Sequence, residues 1–186
     1  MRILIAAILG AVAMFVWTAI AHMATPLGRT GISQIPDEAP VLSAMQQSIG
    51  DKGGLYFFPW VDMNDPKAME KAADAEKTSP HGLLLYHAAG QHLEANMGPM
   101  LTVEFLKQFV QALLAAWIVS MIAGGFALRL GAIVAMFGSS AIAVNISYWN
   151  WYGFPLDYTI AQIVIELVSG LVAGAAIAWW LGRKAG

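Results

Sequence analysis

The 186-residue chain reads as a polytopic α-helical membrane protein: a four-helix transmembrane bundle with a small external α+β domain inserted between helices 1 and 2. Three observations predict this. Hydrophobic residues make up 58% of the chain and charged residues 12%, the latter about half the share of a soluble domain. Sixteen of the 22 charged residues fall between His22 and Lys107. The rest of the chain divides into nearly charge-free blocks of about 20 residues, the length a helix needs to cross a bilayer.

The first block runs from Ile3 to Ala21 without a charge and covers about 28 Å as a helix, so residues 1–21 are assigned to helix 1. Ala19-Ile20-Ala21 also fits a signal-peptide cleavage site, but the apolar run exceeds the 7–15 residues of a typical signal core. Helix 2 is placed at 104–128 and helix 3 at 130–149, parted near Arg129, because about forty apolar residues in one element would overrun any bilayer. Helix 4 occupies 158–182, and 183–186 form a tail. The loop 150–157 between helices 3 and 4 is rich in aromatic residues.

Residues 22–103 are too many for a connection and enough for a small domain. Pro36-Asp37-Glu38 followed by Val41, Leu42, Met45, Ile49 and Gly50 predicts a capped amphipathic helix. Asp65-Pro66 predicts a second helix with Asp65 as N-cap and Pro66 in its first position. Leu55–Phe58 and Leu83–Tyr86, bounded by Gly and Pro, predict two short strands. Such a domain has a thin core.

Lys and Arg in the short connections set orientation. Arg2, Arg129, Arg183 and Lys184 fall on one side of a four-span chain. This places both termini in the cytoplasm and 22–103 outside the plasma (inner) membrane. Trp and Tyr near the helix ends agree with interfacial positions.

The composition excludes several classes. With no Cys there is no disulfide framework, thiol nucleophile or iron–sulfur site. A net charge of -2 and the absence of a basic block argue against nucleic acid. No nucleophile elbow, phosphate-binding loop or dinucleotide fingerprint occurs, so the reading leans away from an enzyme. No cofactor is specified.

Glu166 is the sharpest residue, about 12 Å inside helix 4 on the reading above. An acid at that depth is costly and rarely faces lipid. Gln162 and Gly170 lie one turn away, and Asn145 is at comparable depth on helix 3. Either Glu166 glues helices 3 and 4 through a hydrogen bond or it handles a proton or ion in a carrier, for which a second intramembrane acid or base is expected and none is found. Glu104, Lys107, Gln108 and Gln111 share one face of helix 2, read as an interfacial end beneath the external domain.

Small residues recur every fourth position, including Ala135 and Ser139 on helix 3 and Gly170, Gly174 and Ala178 on helix 4. In lipid such residues are how helices approach closely, within a subunit or in a homo-oligomer. His22, His81, His87 and His92 lie outside, with six of the ten Met. Imidazole and thioether suit copper, and imidazole with carboxylate suits zinc, but His87 and His92 are five apart, not the four that would place both on one helix face. Trp149, Trp151, Tyr152 and Phe154, with Trp60, form an aromatic rim suited to lipid, a ring-bearing ligand or a protein partner. The leading expectation is a small accessory or interaction protein acting through its external domain and this rim. The alternatives are an external metal-handling protein and a proton-coupled carrier centred on Glu166.

Overall fold

The computed structural model describes residues 1–91 and 97–183. It is 71% helical, with four helices long and apolar enough to cross a membrane and a two-stranded sheet. The long helices are α1 (Arg2–Met23), α4 (Met97–Ser120), α5 (Phe126–Tyr152) and α6 (Leu156–Gly182). Between α1 and α4 come α2 (Glu38–Ile49), β1 (Gly54–Phe58), α3 (Ala68–Thr78) and β2 (Gly82–Tyr86). The chain divides into two compact units, one of Met1–Ile32 with Asn96–Gly186 and one of Ser33–Ala95.

In the helical unit α1 packs on both α4 and α6, and α5 packs on α6, while α4 touches α5 and α6 only slightly. The core is mostly small: Ala6, Ala7 and Ala11 of α1 meet Ala112, Ala115 and Ala116 of α4, with Ala173 and Ile177 of α6. Gly10 marks the crossing, since a Cβ there would stand 2.8 Å from Ile177 and 3.3 Å from the Ala112 Cβ. Hydrocarbon surroundings give no hydrophobic drive between helices, so close backbone approach is what such contacts rest on.

α5 and α6 join through large side chains of α5 seated on small residues of α6. Gly170 and Gly174 form a groove that receives Phe137, Ile133 and Leu130: a Cβ on Gly170 would come 2.6 Å from the Phe137 Cβ, and one on Gly174 2.8 Å from Leu130. Ala178 is likewise buried. Ala135 and Ser139, whose ridge the sequence leaves open between packing within the subunit and packing against another copy, are exposed. A groove of small residues on one helix takes large side chains from the other, so α5 presents Ile133 and Phe137 and turns its small-residue face outward.

Two boundaries shift. The break between α4 and α5 falls at residues 121–125 rather than at Arg129, which lies in the first turn of α5. Gly124 and Gly125 are poor helix formers and stop α4 where a single Arg does not. At the far end α5 runs on to Tyr152 and closes on Gly153, whose φ of 69° is the left-handed conformation glycine takes at a helix C-terminus. The aromatic loop thus shrinks to three residues, and most of its rings sit on helix ends. After α1 a single 3-10 turn, Pro26–Arg29, capped by Thr25, folds the chain back so that Gly31 meets Tyr158 at the start of α6.

In the second unit the strands pair antiparallel, Leu55 opposite Leu85 and Phe57 opposite Leu83. Tyr86 faces the thin core, stacks edge-on against Tyr56 and donates its hydroxyl to the Gly50 carbonyl at 2.9 Å. Leu55, Phe57 and Leu85, on the opposite face, are exposed. α3 begins at Ala68, later than expected. Asp65 still organises its approach by accepting from the Lys67 N–H at 2.8 Å, and the ammonium of Lys71 beside it holds its carboxyl below the usual range.

The two small-residue faces make opposite predictions. Gly170→Val overpacks the groove against Phe137 and is expected to cost about 1–3 kcal/mol, whereas Ala135→Val on the exposed face stays within about 0.5 kcal/mol. Thermal unfolding in detergent distinguishes them, and equal effects would show that α5 packs through its small face after all.

Candidate functional site

Where the facing residues of α1, α4 and α6 are alanine, the helices close. Toward the C-terminal end of α1 they are larger: Phe15 meets Phe105 edge to face at 5.6 Å between ring centroids, and Thr18, Gln108 and Glu166 follow. Between the three helices at this level lies a cavity of about 420 Å³. Its polar lining comes from three helices: Thr18 and His22 of α1, Glu104, Lys107, Gln108 and Gln111 of α4, and Gln162, Glu166 and Ser169 of α6. The spacing i, i+3, i+4, i+7 on α4 puts its four residues on one side of that helix, and Gln162 and Glu166 are one turn apart on α6.

The sequence places the α4 stripe at an interfacial helix end. Gln108 is only 3% exposed and ties α4 to α1. Its Nε2 donates to Thr18 Oγ1 at 2.9 Å and to Glu104 Oε1 at 2.8 Å. Lys107 Nζ donates to the same carboxylate oxygen at 2.8 Å. The charges of Glu104 and Lys107 are therefore matched to one another. Gln108 Oε1 is buried without a hydrogen-bond partner, and among the described residues no group donates to the Glu166 carboxylate.

Glu166 lies ten residues into α6, about 15 Å from its start. It also lines a second, smaller cavity of about 170 Å³, which it shares with Gln111. The rest of that lining is Leu114, Ala115 and Ile118 of α4 with Met136, Phe137 and Ser140 of α5. Glu166 and Gln111 thus line two cavities whose exposed surfaces are both mostly apolar.

The other expected residues fare differently. Asn145 gives its Nδ2–H to the Ala141 carbonyl of its own helix at 2.9 Å and lines neither cavity. Serving its own turn, it supplies no bridge from α5 to Glu166. His22 lines the 420 Å³ cavity, while His81 and His87 are exposed in the other unit and His92 lies outside the described residues. Among the described residues no three of His, Asp and Glu come within reach of one metal ion. Trp60 and Trp151 are 77% and 75% exposed, and Trp149 and Tyr152 are exposed too. Phe154 is half-buried, 5.2 Å from the Tyr148 ring and 5.6 Å from that of Tyr158.

No protein-family model, curated protein or solved structure matches the chain. Its chemistry is read from the cavity. Sequence reasoning missed Thr18, Gln108, Gln111 and Ser169 as members of one site with Glu166. The stripe on α4 was visible, but its partner helices were not. Glu104 and Lys107 are the ionisable companions of Glu166 that the sequence reading had placed outside the bundle.

The Thr18–Gln108 bond predicts a measurable coupling. Thr18→Val removes an acceptor from a buried amide and is expected to cost about 1–2 kcal/mol. In a Gln108→Leu background the same substitution should cost almost nothing, because the donor is gone. A double-mutant cycle on detergent-solubilised protein reads the difference, and additive effects would show that the bond carries no energy.

Proposed function

We propose that this chain is a ligand-binding protein of the plasma (inner) membrane, with α1, α4, α5 and α6 spanning the bilayer, both termini in the cytoplasm and residues 33–95 outside. Its working part is the cavity beside Glu166. The orientation rests on Arg2, Arg129 and Arg183, which share one end in a four-span topology under the positive-inside rule. Arg2 donates to the Leu181 carbonyl at 3.2 Å and to that of Arg183, and the Arg183 guanidinium lies over the Trp179 ring at 4.8 Å. These contacts suit a helix end at a membrane–water interface.

The observation that carries the reading is the unpartnered Glu166 carboxylate on a cavity of about 420 Å³. That volume lies within the range of small-molecule sites, about 300–1,000 Å³. A carboxylate kept only to hold helices together would be hydrogen-bonded across them, and no such donor reaches Glu166 among the described residues. Ionisable groups within a span are expensive and cluster at substrate and ion pathways.

The exposed apolar face of the sheet favours a second reading. Leu55, Phe57 and Leu85, with Trp60 nearby in sequence, offer an external surface for a protein partner or a second copy. This would make the chain an accessory protein, and the two roles are compatible. External metal handling has no comparable support.

The absence of Cys makes the test clean. Gln162→Cys and Gln111→Cys, examined one at a time in native membranes, should react with a membrane-impermeant, water-soluble thiol reagent added outside. Ile160→Cys and Val164→Cys, on the exposed side of α6, should stay unmodified. Failure of both cavity positions to react would overturn the reading.

A further inference from the structure

We infer that the cavity takes an amphiphile with a protonated amine head, its nitrogen seated against Glu166 and its hydrocarbon chain along the apolar side chains of the same cavity. This rests on the reading of the cavity as a binding site and specifies what it binds. The first argument is a balance of charge. Among the described residues the ionisable groups of the lining are His22, Glu104, Lys107 and Glu166. Lys107 is hydrogen-bonded to Glu104, which also accepts from Gln108. The Glu166 carboxylate is left without a paired cation, so a ligand seated against it brings positive charge and N–H donors. An anionic head would meet Glu166 and find Lys107 already engaged by Glu104.

The second argument is the rest of the lining. Met14 and Phe15 of α1, Met97, Met100 and Leu101 of α4 and Ile165 of α6 line the same cavity as Glu166. A small cation alone would leave these apolar side chains uncovered, and a plain hydrocarbon would leave the carboxylate unmet. An amine head carrying a hydrocarbon chain meets both requirements.

The test uses the full chain carrying Gln111→Cys in liposomes, with N-ethylmaleimide, a neutral reagent, as reporter of access. Decylamine, decanol and decanoate are compared as protecting probes of equal chain length. Decylamine should slow modification of the cysteine strongly, and Glu166→Gln should weaken that protection on the order of tenfold in probe concentration. Decanol and decanoate should protect little. Equal protection by decanol would overturn the amine assignment and leave a hydrocarbon site, and better protection by decanoate would make Lys107 the anchor. Protection by decylamine that persists in Glu166→Gln would also overturn it. Should Glu166→Gln fail to fold, the ranking of the three probes on the unsubstituted acid decides alone. A cysteine at 111 that never reacts, even without probe, defeats the binding-site reading itself, whereas one that reacts but is protected by none of the probes defeats only the present inference.

Discussion

Gln108 joins α4 to α1 through Thr18 in a bundle whose buried core is mostly alanine and aliphatic side chains. An amide inside an apolar span must find partners, because each unmet group costs about 1–3 kcal/mol. The Nε2 side is met by Thr18 and Glu104, and Glu104 in turn fixes Lys107. This chain of bonds holds the polar face of α4 inward, against α1 and toward α6. Without it the same stripe would turn to the nearest water, and the cavity would lose its floor.

The small residues do the complementary work. Gly10 lets α1 lie against both α4 and α6, and Gly170 and Gly174 seat Phe137, Ile133 and Leu130 of α5. Tight packing at one level and bulky polar lining at another are consequences of the same helices carrying alanine on one stretch and Phe, Gln and Glu on the next. The site needs no separate domain. It is the part of the bundle where the sequence stops being small.

Much of this was legible from the sequence. The four long apolar helices follow from charge-free length, and the two strands and the α2 helix follow from short apolar runs between Gly and Pro. Glu166 and Gln162 stand out because an acid and an amide are rare at such depth. Helix ends were read less well: Gly124-Gly125 outweighed Arg129 as a stop, and Gly153 kept the aromatic residues 148–152 helical. Residues on neighbouring helices were the least legible. The stripe at 104, 107, 108 and 111 has one periodicity whether it faces water or a cavity, and only the packing of α1 and α6 decides which. Ala135 and Ser139 show the same limit, since a ridge of small residues marks a face able to pack without saying that it does.

The central claim is that Glu166 belongs to a site open to ligand and water rather than to a sealed helix contact. The most direct measurement is difference infrared spectroscopy of the reconstituted protein, with the Glu166 band assigned by its loss in Glu166→Gln. An open site gives a band that answers to bath pH and shifts when decylamine binds. A band indifferent to both would place Glu166 in a closed contact and contradict the claim.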